Sequence, residues 1–138
     1  MRAAAAATVC ALALAGCNGD EPAQTRVARD AARAGDAVVR LERAIARRDF
    51  RRVCRSLFTR ALRQRLGGRR CPAMLRASAR GVRRPRIRVE AISLQGSRAR
   101  VRVVTTAERQ APARDVIVLL QERGAYRVDG LAGVSGER

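Results

Sequence analysis

Histidine, lysine and tryptophan are all absent from this chain of 138 residues, and Phe50, Phe58 and Tyr126 are its only aromatic side chains. Without histidine, no Ser/His/Asp or Cys/His catalytic set can be assembled. So few aromatics remove the stacking platforms on which single-stranded nucleic acid is usually held. There is no glycine-rich loop to cradle a phosphate, no internal repeat, and no second domain. Acids are scarce as well, at 12 against 30 basic residues, every one of which is arginine, for a net charge of +18.

A field of that size attracts polyanions, which makes nucleic acid the first partner to consider. The arginines are spread over every segment instead of forming one stripe, and the aromatics are missing, so no specific nucleic-acid partner is expected. Arginine to the exclusion of lysine, with abundant Ala, Val and Gly, is also what a GC-rich coding sequence produces. For most of these residues the plain reading is a solvated surface coloured by base composition.

Long apolar runs are lacking too. The apolar leader segment, Ala3 to Gly16, has 14 residues and no charge, whereas a membrane-spanning helix needs about 20. Preceded by Met1 and Arg2, it has the positive start and apolar middle of an export signal. Two cleavage patterns compete at its end. "ALA" at Ala13 to Ala15 suits ordinary signal removal, which leaves Gly16 at the new amino terminus. The tetrapeptide "LAGC", Leu14 to Cys17, resembles the lipobox of bacterial lipoproteins, and an intracellular protein with an Ala-rich first helix is the third possibility. The lipobox resemblance implies that the chain is cut before Cys17, that Cys17 carries lipid, and that the protein sits on the extracytoplasmic face of the cell membrane. Each buried methylene contributes about 0.8 kcal/mol, and two or more acyl chains hold a protein firmly on a bilayer. Removing Arg2 with the leader leaves 29 arginines against 12 acids, a charge near +17. Arginines close to an anionic membrane surface add about 1 kcal/mol each to attachment, and phosphate-rich envelope polymers are a second nonspecific partner.

On that reading Cys10 leaves with the leader, and Cys54 and Cys71 remain in a compartment where disulfides persist. The helical pattern between them ends at Gly67 and Gly68, where the chain can turn back, so a bridge is reasonable. Two separately buried thiols are the alternative. A zinc site is not expected, since two cysteines without histidine cannot complete a tetrahedral set. No cofactor is implied.

From Thr25 to Arg48 the chain is rich in helix formers. Gly35 and Asp36 are expected to interrupt it, with Asp36 capping a helix whose stripe is Val38, Leu41 and Ile45. Asp49 caps a second helix, in which Phe50, Val53, Cys54, Leu57, Phe58, Ala61 and Leu62 follow an unbroken helical series. Pro72 opens a third, shorter helix that Gly81 ends. From Pro85 the period falls to about 2. Ile87 and Val89 alternate with arginines, and Ile92 and Leu94 follow on a shifted phase that a bulge near Glu90 and Ala91 explains. Gly96 and Ser97 turn the chain into a strand with Ala99, Val101 and Val103 on one side. After a polar connection, Val116 to Leu120 suit a strand covered on both faces. Gly124 then turns into the last strand.

Helices followed by a four-stranded meander make an α+β layout. The stretches "AIARRDFRRVCRSL", "CPAML" and "GAYRVDGL" resemble small bacterial lipoproteins of the nuclear transport factor 2 like superfamily, over about residues 37 to 131. The resemblance implies two to three N-terminal helices packed on a curved, four-stranded antiparallel sheet that forms a cone. The expected organisation is a lipoprotein signal peptide over 1–16, a lipidated N-terminus and flexible tether over 17–35, and one domain over 36–138.

Some members of that superfamily are isomerases, cyclases or dehydratases with an acid or histidine inside the cone, while others only bind or assemble. In this chain Asp115, Glu122 and Asp129 fall at strand ends, and Glu90 and Glu108 fall near a bulge or loop. Each is expected to be a solvated partner for nearby arginine. Asp129 and Tyr126 are the first choices for a hidden polar pair, although strand phase puts them on opposite sides. No catalytic residue is assigned. Three functions stand as expectations. The first is a non-enzymatic envelope lipoprotein whose domain binds a small apolar ligand or a protein. The second is an isomerase- or cyclase-like enzyme, which needs a carboxylate inside an apolar cavity. The third is a cationic module for anionic lipid or envelope polymer, which needs an arginine cluster on one face.

Overall fold

The computed structural model describes residues 22–132. The leader, Cys10 and the lipobox cysteine Cys17 lie outside the described residues. Helix α1 (Ala23–Ala46) is 24 residues long, and the Pro22 carbonyl accepts hydrogen bonds from the Thr25 and Arg26 backbone N–H groups at its start. Ala34, Ala37, Val38, Leu41 and Ala44 form its buried stripe, while its arginines point outward. The expected interruption at Gly35 does not occur, so residues 23–35 belong to α1 and Asp36 caps nothing. The cause is tertiary. Gly35 faces the sheet so closely that a Cβ on it would lie 3.6 Å from Ile92 Cδ1. Packing of Ala34 and Gly35 on the sheet outweighs the roughly 1 kcal/mol helix cost of a glycine.

The second helix also departs from its sequence pattern. Asp49 caps it as expected, accepting from the Arg52 N–H at 3.1 Å, but α2 is only Phe50–Arg52. It passes into a π turn over Val53–Leu57, closed by the Phe58 N–H on the Val53 carbonyl, and Phe58 is then extended. Helix α3 (Arg60–Arg65) starts afresh behind Thr59. Ala61 and Leu62, which continue the apolar series on paper, are therefore exposed and half-buried. After Gly67 at φ 85° and a short 3₁₀ turn, α4 (Cys71–Ser78) carries Pro72 in its first turn. Cys54 in the π turn and Cys71 at the start of α4 are joined by a disulfide, with both side chains fully enclosed. Among the described residues four α-helices thus stand where two or three were expected.

The strands are β1 (Arg86–Gln95), β2 (Arg98–Thr106), β3 (Ala113–Glu122) and β4 (Ala125–Ala132), antiparallel in the order β1-β2-β3-β4. The bulge expected near Glu90 lies between Val89 and Ala91, and a second one leaves Asp129 as the extra residue opposite Val118 and Leu119. Ala99, Val101, Val103, Ile117, Leu119, Tyr126 and Val128 face the helices and share one core with Val38, Leu41, Val53 and Cys54. The α+β class and the four-stranded meander are as expected. The sheet, however, is neither closed nor strongly curled, where the resemblance implies a curved cone.

Each sheet edge is met at one point by the helical half. At β1 the Glu42 carboxylate of α1 accepts the Ile87 backbone N–H at 2.6 Å and lies 3.7 Å from Arg86. At β4 the Phe58 to Thr59 segment forms a parallel bridge with Val128. These contacts satisfy backbone groups that would otherwise invite another chain.

Two outcomes follow. Gly35→Ala is expected to raise stability by about 0.5 to 1 kcal/mol, because alanine fits the 3.6 Å gap to Ile92 at ordinary contact distance and favours the helix. Urea titration of both proteins checks it, and a loss of stability refutes the fit. Reducing the Cys54 to Cys71 bridge is expected to cost about 3 kcal/mol and to lower the thermal midpoint by about 10 °C.

Candidate functional site

Thr59 is the one fully buried polar residue among those described, at 1% exposure. Its N–H donates to the Val128 carbonyl at 2.8 Å, and its hydroxyl donates to Asp129 Oδ1 at 2.8 Å. The same hydroxyl oxygen accepts the Leu62 N–H at 3.0 Å, which caps α3. Asp129 also receives Arg65, whose guanidinium lies 3.9 Å from the carboxylate and donates to the Asp129 carbonyl. Asp129 is therefore part of the joint between α3 and β4, and Tyr126 is in the core apart from it, as strand phase implied. The Tyr126 hydroxyl is buried without a hydrogen-bond partner among the described residues.

The other acids singled out in the sequence sit beside arginines. Glu90 is 3.6 Å from Arg88, Glu108 is 3.8 Å from Arg84, and Glu122 is 3.9 Å from Arg127. Asp115 is half-buried near the start of β3. The fold does not bring these five carboxylates together. Among the described residues, Asp36, Glu108 and Glu122 each line a different open cleft, and each of those clefts also holds three or more arginines.

The surface gathers arginine more than sequence order suggests. Strand register places Arg98, Arg100 and Arg102 of β2 on the sheet face turned away from the helices. Arg86 and Arg88 of β1 and Arg114 of β3 lie on the same face, around an open depression of about 540 Å³ floored by Val104 and walled by Pro112. No acidic side chain lines that depression. Beside the β2 arginine row, Val116 is buried and Val118 and Leu120 are half-buried, although no helix packs there. Cross-strand neighbours supply the cover: Arg102 stands opposite Val116, and Arg88 and Arg114 flank Val104. Arginine stems suit such positions, since they can rest on apolar surface while the guanidinium reaches water. The outer face of β3 thus has arginines of β2 opposite its apolar residues and no helix packed on it, where the apolar run suggested a strand covered on both faces.

Sequence reasoning missed Thr59 and Glu42, whose partners are 70 and 45 residues away. The outer arginine face was half legible, since the alternation in "RARVRVV" states which residues share a side. That β1 and β3 add their own arginines to that side depends on register.

Thr59→Val keeps the shape and removes the hydroxyl, leaving Asp129 and the Leu62 N–H short of a partner. It is expected to cost about 2 kcal/mol, whereas Thr59→Ser is expected to cost less than about 1 kcal/mol. Urea midpoints of the two variants check this, and equal losses refute the capping role.

No protein-family model, no curated protein and no solved structure matches this chain.

Proposed function

We propose that the protein is a lipid-anchored, extracytoplasmic and non-enzymatic binding module whose arginine-bearing sheet face rests on an anionic lipid surface. The observation that carries this reading is the outer face of β1 to β3, where three arginines of β2 border the Val116, Val118 and Leu120 stripe and Arg86, Arg88 and Arg114 surround Val104. Such a face offers phosphate groups a row of guanidiniums and gives the bilayer interface apolar stems between them. Within the face Arg86 lies 3.7 Å from Glu42 and Arg88 lies 3.6 Å from Glu90. Arginine still outnumbers acid there, and that excess is what draws an anionic surface. At about 1 kcal/mol per arginine, the face adds markedly to an acyl anchor at low salt and little at high salt.

The anchor itself rests on "LAGC" and Cys17, and the cone-shaped superfamily rests on the sequence stretches that resemble it. The helices-then-meander order supports the second. An enzyme of the isomerase or cyclase kind asks for a carboxylate in an enclosed apolar cavity. A binder of small apolar molecules asks for a cavity without charge. The clefts around Asp36, Glu108 and Glu122 are open and rich in arginine, which favours the cationic reading over both.

Two measurements test the proposal. Mass spectrometry of the mature amino terminus is expected to find lipidated Cys17, and an unmodified Gly16 there would remove the anchor. Unlipidated protein is expected to bind phosphatidylglycerol vesicles and not phosphatidylcholine vesicles, with attachment falling as salt rises. Arg98→Ala with Arg100→Ala is expected to weaken binding about 30-fold. Equal binding to both vesicle types refutes the lipid reading, and capture by an anionic envelope polymer in place of vesicles transfers the face to that partner.

A further inference from the structure

A second cationic feature lies off the sheet face, where the β3–β4 turn meets the segment leading into α3. An open cleft of about 440 Å³ there is lined by Arg55, Arg60, Arg63, Arg123 and Arg127, with Phe58 and the Glu122 carboxylate. These arginines come from four places in the fold. Arg55 belongs to the π turn, Arg60 and Arg63 are one helical turn apart on α3, Arg123 stands in the tight turn at φ 51°, and Arg127 is on β4.

Glu122 offsets only part of this charge. Its carboxylate lies 3.9 Å from Arg127 and accepts the Arg60 backbone N–H at 3.4 Å. The guanidiniums of Arg55, Arg60, Arg63 and Arg123 have no acidic partner among the described residues. Crowding like charges is unfavourable, and solvent screens it less where the groups are withdrawn, as Arg63 and Arg127 are. The local fold does not require the cluster, because α3 is capped by Thr59 and held to β4 through Asp129 and Arg65. A multiply charged oxyanion seated in the cleft would turn the repulsion into several charge-assisted hydrogen bonds, and the planar guanidinium fork matches phosphate oxygens in pairs.

We propose that this cleft is a binding site for a phosphomonoester or diphosphate group, taken either as a soluble compound or as a lipid headgroup. A carboxylate or a monovalent anion leaves most of the four unpaired guanidiniums without a partner, so the site should prefer the higher charge. The inference stands apart from the membrane reading, because its four unpaired arginines lie off the strands and only Arg127, opposite Leu120, borders the outer sheet face.

The test is calorimetric titration of the full chain with inorganic pyrophosphate and with inorganic phosphate, using acetate at equal ionic strength as the control. Saturable binding of pyrophosphate in preference to acetate is expected. Arg60→Ala with Arg63→Ala should lower its affinity at least tenfold, while Arg76→Ala with Arg80→Ala, which removes equal charge from α4 and the turn after it, should change it less than twofold. Glu122→Gln should tighten binding severalfold by removing the competing carboxylate, an effect that a purely structural role for Glu122 would not produce. No saturation, equal binding of acetate, or equal losses in the two double variants overturns the proposal. Vesicles containing phosphatidic acid or phosphatidylglycerol at equal surface charge separate the two sources. A preference for phosphatidic acid that is lost in the Arg60 and Arg63 variant identifies the headgroup. Absence of that preference with pyrophosphate binding intact identifies a soluble phosphate compound.

Discussion

Docking of Thr59 on the edge of β4 is the contact on which the helical half of the molecule depends. Directly after the π turn closes at Phe58, this single residue starts α3 and pairs with the edge strand, through its backbone N–H on Val128 and its hydroxyl between Asp129 and Leu62. Continuing the helix past Leu57 would have kept the apolar series of Ala61 and Leu62 on one stripe. It would also have left the β4 backbone and Asp129 without partners. Buried hydrogen-bonding groups left unpaired cost more than one stripe of partly buried side chains returns. The chain breaks its own periodicity to satisfy them. The disulfide then holds the broken segment against α4, so the π turn is fixed from both sides.

The same break arranges charge. Because α3 restarts at Arg60 beside β4, Arg60 and Arg63 are brought to the β3–β4 turn and join Arg55, Arg123 and Arg127 in one cleft. Had the second helix run on unbroken, Arg55, Arg60 and Arg63 would have stayed together on one solvated face. On the sheet, antiparallel register does comparable work. Odd-numbered apolar residues of β2 go to the core, and Arg98, Arg100 and Arg102 are therefore forced outward, next to the arginines of β1 and β3. Codon usage would account for arginine standing in place of lysine. It does not account for their being gathered in two places.

Local patterns explain which parts of the fold were legible. Period-2 alternation, the phase shift around Glu90, the turn at Gly96 and the cap at Asp49 are all set by residues within a few positions of one another, and all are present. The pairing of Cys54 with Cys71 was readable for a related reason, because a short helical segment and two glycines separate them. Gly35 misled because its helix cost is a local quantity, while its gain is contact with Ile92, more than fifty residues away. Glu42 gave no signal at all, since an acid on a solvated helix looks alike whether or not a strand edge waits for it. Of the candidate site, the sequence carried the arginines and the scarcity of acids, but not which arginines meet.

By itself, then, the sequence determined the strand count and alternation, the class of fold, the exclusion of histidine chemistry and the surplus of positive charge. These follow from composition and short-range spacing, which the backbone reads directly. Tertiary structure alone decided that α1 runs through Gly35, that the second helix breaks at Phe58, and that arginine collects on the outer sheet face and in the cleft beside β4. Those outcomes depend on register and on long-range hydrogen bonds, where the favourable term belongs to a partner distant in the chain.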